Sequence, residues 1–311
     1  MPLPALLSGL RLPAIVAPMF LVSGPDLVVA ACRAGLVGTF PALNARTGED
    51  LDRWLGGIGR RLAADGRAAP FGVNLIVHRS NPRLRDDLGR VVAHRVPLVI
   101  TSLGATAGIV DEIHAYGGLV FHDVISLRHA EKAAAAGVDG IIAVAAGAGG
   151  HAGALSPFAL VGELRQMFGG TVVLAGAVTT GSDILAARAM GADMVSIGTR
   201  FIVTRESLAS DAQKEMTRDA TAADIIHTSA ISGVAANFLR PSLVLNGLDP
   251  DNLPPHGTLD LGSEARVWKT VWSAGQGVGR IADIPAAGDL CDRLAAEYRA
   301  ARARIAADPF G

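Results

Sequence analysis

Short runs of consecutive apolar residues alternate with amphipathic stretches along the first two-thirds of the chain. The runs fall at residues 15–17, 36–39, 71–75, 98–100, 119–123, 140–144, 172–175 and 194–197. Most are continuous rather than alternating, as expected of strands buried on both faces of a parallel sheet. Between them, residues 127–136 (LRHAEKAAAA) read as a helix closed by Gly137, and 182–190 as another that also ends before a glycine. Eight strands in β/α alternation is the count of a closed (β/α)8 TIM barrel, not of a six-stranded open sheet.

The rhythm breaks after the eighth run, which is not followed directly by its helix. Residues 205–274 carry a polar helical stretch and then Pro241, Pro250, Pro254 and Pro255 in loops, and a helix able to close the barrel returns near 286–306. The expected division is a barrel from 1–204 and 275–311 and a cap from 205–274. The cap leaves from the strand-8 end, on the face where barrel enzymes carry their sites.

Composition narrows the function classes. With 311 residues, half of them apolar and 18% charged, the chain can bury a large core and does not read as disordered. The 28 basic and 29 acidic residues give a formal net charge of −1, which offers no basic face for a nucleic acid. The longest apolar run, 140–150, is too short and too Gly-rich to span a bilayer. The N-terminal stretch has Arg11 as its one basic residue, unlike a signal peptide. Cys32 and Cys291 lie in apolar helical patterns without zinc-type spacing, so both read as reduced core residues. A cytoplasmic protein without membrane or nucleic-acid partners is expected; an oligomer is compatible with all of this.

Functional groups of a barrel gather at the C-terminal strand ends. Those positions here are Pro18 and Met19, Asn74, Thr101 and Ser102, Asp123, residues 145–153, Gly176 and Ala177, and Gly198 and Thr199. Glycines in both loops after the seventh and eighth strands, AGAVTTG (175–181) and GTRF (198–201), suit a backbone phosphate site. The loop AAGAGGHAG (145–153) surrounds His151 with small residues, and an imidazole there can take or give a proton near neutral pH. His78 follows the third strand and can line the pocket mouth, and His122 reads as packed. His94, His114 and His129 fall in helical stretches, while His227 and His256 belong to the insertion. No HExxH or carboxylate cluster at metal spacing occurs, so no metal is expected. The three lysines, Lys132, Lys214 and Lys269, avoid strand ends, which disfavours a Schiff-base aldolase. Without a nucleophile, a metal or paired acids, reactivity borrowed from a phosphate-bearing organic cofactor fits best.

The run APM after the first strand, GVNL (72–75), GGHAG around His151, the Gly176 loop, MGADMVSIGTRF (190–201) and AGQGVG (274–279) together resemble the nitronate monooxygenase family, relatives of flavin-dependent enoyl-ACP reductases. The resemblance implies non-covalent FMN, its phosphate held by backbone near Gly176, Ala177, Gly198 and Thr199. Its ring would lie near Ala17, Pro18 and Met19, with Asn74 on its polar edge and Gly149 and Gly150 close by. Ser102, Asp123 and Gln276 belong to the same implied cofactor set. His151 would be the acid/base, and alkyl nitronates would be oxidised with O2 to a carbonyl compound and nitrite. Three positions depart from the family's pattern. Val144, Ala145 and Gly147 replace its Gln, Gly and Glu; Asp123 stands where some members carry lysine; and Gly176–Ala177–Val178 replaces GGI. An acid at 123 would repel an anionic nitronate unless solvent or an arginine such as Arg200 or Arg205 offsets it. The alternatives are an NAD(P)H-dependent flavin reductase of an enoyl thioester or quinone and, from another class, a cofactor-free phosphate-sugar lyase or isomerase.

Overall fold

A computed structural model describes residues 3–66, 68–104, 108–253 and 268–308. The eight apolar runs form β1 (Ala14–Val16), β2 (Val37–Pro41), β3 (Phe71–Ile76), β4 (Leu98–Ser102), β5 (Leu119–Val124), β6 (Gly140–Val144), β8 (Thr171–Ala175) and β9 (Met194–Ile197); the intervening β7 (Gly150–His151) lies outside the barrel. The eight strands are parallel and close in chain order, with β9 returning to β1 through Ile15 opposite Ser196. Their continuous apolar character has a direct cause. Ile15, Val37, Leu98, Ile100, Phe121, Ile142, Val173 and Met194 fill the barrel interior, while Val16, Val73, Val99, Val120, Ile141, Val172 and Val195 pack outward with the helices.

The helices of the wall are α1 (Pro25–Arg33), α2 (Gly48–Ala63), α3 (Leu84–Ala93), α4 (Ile109–His114), α5 (Leu127–Ala135), α6 (Pro157–Met167) and α7 (Gly181–Ala189). Helix α7 starts immediately past the β8 loop. The Thr180 side chain accepts the Asp183 N–H, and the Asp183 carboxylate accepts the Thr180 N–H in return. The final helix, Ala287–Ala306, packs on α7 so closely that a side chain on Gly181 would overlap the Leu294 carbonyl and the Tyr298 backbone.

Two expectations are corrected. A single helical turn, α8 (Thr199–Ile202), does follow β9 directly, too short to leave any periodicity in the sequence. The insertion is not only helix and loop. Beside α9 (Asp211–Asp219) and α10 (Arg240–Leu245) it contributes β10 (Ile225–Thr228) and β11 (Ala236–Leu239). These form a three-stranded antiparallel sheet in the order β10-β11-β7, so the segment read as a loop around His151 includes a short strand. Pro254, Pro255 and His256 lie outside the described residues.

Candidate active site

A cavity of about 1300 Å³ opens at the C-terminal ends of the strands. That exceeds the ~300–1,000 Å³ common for one small ligand. Ala17, Pro18, Met19, Asn74, Ser102, Asp123, Gly149, Gly150, His151, Gly176, Ala177, Gly198 and Thr199 all line it. Gln276 stands behind this lining, its side chain next to Gly147.

One side of the cavity is built almost wholly of backbone. Gly147, at φ +87°, turns its carbonyl to accept both Ala177 N–H at 3.2 Å and Gln276 N–H at 2.9 Å, joining three segments at one oxygen. Thr199 Oγ1 accepts the Gly275 N–H at 2.8 Å, and Thr179 Oγ1 donates to the Gly277 carbonyl at 3.0 Å. The residues 274–277 therefore seat the returning chain on the loops after β6, β8 and β9. A side chain on Gly275 would overlap Gly147 O, so the close approach is possible only with glycine there. Ala177 sits at φ +53°, a left-handed conformation that a Cβ disfavours. Ala177→Gly is expected to stabilise the fold by about 0.5–1 kcal/mol, the relieved strain being partly offset by glycine's greater unfolded-state freedom. Denaturant unfolding checks this, and a lowered midpoint would contradict it.

The insertion holds His151 in place. His151 pairs with Ala236 and Gly150 with Asn237 across β7 and β11. Gly150 N–H donates to Ser273 Oγ at 2.6 Å, and that hydroxyl donates to the Asn237 carbonyl at 2.5 Å. Asn237 Nδ2 donates to the Ala148 carbonyl at 2.6 Å. The imidazole meets Trp268 edge-on at 5.8 Å, and Trp268 rests on Phe238 at 5.1 Å. Asn237, Trp268 and Ser273 escaped the sequence reading because they become neighbours of His151 only through this sheet. Only the position of Ser273, directly before AGQGVG, hinted at it.

Opposite the backbone wall, three barrel strands present a polar chain. Asn74 Nδ2 donates to Ser102 Oγ at 2.7 Å and to the Ile100 carbonyl at 3.3 Å, and the Ser102 hydroxyl donates to Asp123 Oδ2 at 2.6 Å. Burial pushes the Asp123 carboxyl up to about 6, against the Ser102 bond and the charge of His151, which favour its ionised form. His122, one residue earlier on β5, is buried with Nδ1 2.8 Å from Thr101 Oγ1; burial holds it down at about 4, so it is neutral at physiological pH.

The remaining histidines sit elsewhere. His94 pairs with Asp52 at 3.1 Å and His114 with Asp139 at 2.8 Å, both on the surface. His129 is exposed on α5, and His227 Nδ1 lies 3.0 Å from Asn237 Oδ1. His78 lines the cavity with Nδ1 2.8 Å from Ser80 Oγ. Lys132 and Lys214 lie on α5 and α9, and Lys269 in a turn. Among the described residues, no helix is long and apolar enough to cross a membrane, and no group of three or more His, Cys, Asp or Glu is arranged to hold a metal ion.

Comparison with known proteins places this geometry. The sequence model of the nitronate monooxygenase family matches residues 82–297. A nitronate monooxygenase of Pseudomonas aeruginosa is 29% identical over 300 residues, covering 80% of this chain and 82% of its own. A (3aS,4S,5R,7aS)-5-hydroxy-7a-methyl-1-oxo-octahydro-1H-indene-4-carboxyl-CoA dehydrogenase of Mycobacterium tuberculosis is 28% identical over 241 residues, covering 76% of this chain and 66% of its own. Three of the curated relatives, that one included, are spanned over only 44, 66 and 65% of their lengths. Among solved structures, nitroalkane oxidase from Streptomyces ansochromogenes superposes with a TM-score of 0.83 at 25% identity, covering 97% of this chain and 100% of that one.

Proposed function

Because the chain belongs to the nitronate monooxygenase family, matched over residues 82–297, we propose that it is an FMN-dependent oxidoreductase that oxidises alkyl nitronates with O2 to a carbonyl compound and nitrite. The observation that carries this reading is one cavity with two unlike walls. A close-packed backbone cradle faces it from the loops after β6, β8 and β9, and a single imidazole on β7 stands beside it.

The residues present fit a flavin mononucleotide. The backbone at Gly176, Ala177, Gly198 and Thr199 would hold its phosphate, where N–H donors need no particular side chain. Ala17, Pro18, Met19, Gly149 and Gly150 would leave room for a flat ring, with Asn74 and Ser102 offering polar atoms and Gln276 bracing the loop from behind. When bound, the flavin supplies reversible two-electron chemistry that no side chain here can perform. His151 handles the proton. With a neutral nitroalkane the α C–H bond breaks, the proton goes to the imidazole, and the electron pair moves onto the nitro group. The insertion 205–274 serves as the cap, since β11 and Trp268 fix the imidazole while Trp272 and Ser273 close the cavity.

Purified protein is expected to carry flavin absorbance, and heat-released cofactor to be FMN. Anaerobic nitronate should bleach it, oxygen should restore it, and nitrite should accumulate with turnover. A protein that stays colourless after reconstitution would sink the proposal. Rapid anaerobic bleaching by NADH or NADPH would replace it with a pyridine-nucleotide-dependent reductase.

A further inference from the structure

Among the described residues lining the cavity, Asp123 is the one acid. Side chains on β5 alternate faces, so Asp123 follows Phe121 inward, above the apolar layer that Phe121 shares with Ile100 and Ile142. Ser102 on β4 donates to its Oδ2, and Asn74 on β3 donates to Ser102 Oγ, so one rigid chain of hydrogen bonds fixes the carboxyl in the cavity. The groups facing it are few. β3 and β4 bring only these neutral groups, β6 brings Ile142 and Val144, and β7 brings His151. His122 of its own strand is engaged by Thr101. Of the other basic residues around the cavity, Arg83 is held by Asp87 at 2.8 Å and the Ala45 carbonyl at 2.7 Å, His78 stands against Ser80, and His129 and Lys132 are exposed on α5.

We infer that Asp123 sets the charge preference of the site: its carboxylate favours neutral carbon acids, which His151 deprotonates to the oxidisable anion in place, over substrates that arrive already as small anions. The inference rests on the carbon-acid chemistry proposed above for the same cavity. Deprotonation in place creates imidazolium and nitronate together, a neutral pair beside the carboxylate. A preformed nitronate instead brings a lone negative charge against another in a partly desolvated cavity, where like charges repel far more than in water. Burial lifts the carboxyl to about 6, so the preference should hold above that pH and fade below it as the group protonates.

Asp123→Asn removes the charge and keeps both the size and an acceptor for Ser102. Benzoate and its neutral isostere benzamide are the binding probes, measured by equilibrium dialysis with and without flavin. At about pH 7.5 the affinity for benzoate relative to benzamide is expected to rise at least ten-fold in Asp123→Asn, and at about pH 5 to change little. In the flavin-loaded enzyme, kcat/KM for propane-1-nitronate relative to 1-nitropropane should rise in parallel. A benzoate-to-benzamide ratio unchanged by the substitution at about pH 7.5 overturns the inference. Should Asp123→Asn fail to fold, Ser102→Ala keeps the carboxyl and removes the bond favouring its ionised form. The pH at which anions become tolerated should then move up, and an unmoved transition also overturns the inference. The two proposals fail separately. A ratio that shifts in a protein unable to bind flavin supports the charge preference and overturns the FMN reading. A flavoprotein that oxidises nitronates with an unshifted ratio does the reverse.

Discussion

His151→Ala is expected to keep its flavin and lose about 10²–10⁴-fold in turnover of a neutral nitroalkane, the usual value of one positioned general base. That range corresponds to about 2.7–5.4 kcal/mol of lost transition-state stabilisation. The cofactor should remain because the proposed phosphate cradle at Gly176, Ala177, Gly198 and Thr199 follows β8 and β9, not the segment after β6 that carries His151. The fold should remain as well. The β7–β11 pairing and the Gly150–Ser273 bond engage the backbone at this site, which alanine preserves. The ring is lost, and with it the edge contact with Trp268 and the charge interaction with Asp123. A nitronate is already deprotonated, so its turnover should fall much less than that of the nitroalkane. Flavin content, unfolding midpoint and kcat on both substrates check the assignment together. Equal losses on the two substrates would make His151 an orienting group rather than the base, and loss of flavin with activity intact after reconstitution would overturn the role altogether.

The barrel was legible because its physics is repetitive. Each strand is buried on both faces, so each leaves a short apolar run, and Phe121 or Val173 looks the same in sequence as in the interior cluster. The strand-end rule places Asn74, Ser102, Asp123, Gly176 and Gly198 at one end of the barrel, where a single cavity gathers them. The insertion resisted for the opposite reason. β11 spans only Ala236–Leu239 and pairs with two residues of a glycine-rich loop, a contact with no period to read. The state of Asp123 was equally hidden. Its hydrogen-bond partner lies 21 residues away on the neighbouring strand, and the apolar layer beneath it comes from several strands at once. Position along a strand predicts where a side chain goes; the environment that sets its charge is assembled by the closed sheet.

Gly198→Val should weaken flavin binding by at least ten-fold while leaving the flavin-free protein about as stable as before. The backbone at Gly198, at φ −99°, is one that a side chain can adopt. A Cβ there would meet Ala17 Cβ at 3.6 Å, Met19 Sδ at 3.7 Å and Met19 Cγ at 3.8 Å, all ordinary van der Waals distances. Valine's methyl groups would therefore enter the cavity between the β9 loop and the end of β1, in space proposed for the cofactor. Gly275 makes the contrast, since any side chain there strikes the Gly147 carbonyl and would disturb the junction itself. Ligand linkage gives the expected readout. If 100 Kd of free FMN stabilises the wild type by about 2.7 kcal/mol, a hundred-fold weaker variant would gain only about 0.4 kcal/mol at the same concentration. Unfolding measured with and without FMN, beside a fluorescence titration of affinity, separates the cofactor effect from any damage to the fold. Affinity equal to wild type would remove the β9 loop from the binding site. A variant destabilised equally with and without FMN would show that the glycine serves the packing of β9 against β1 instead.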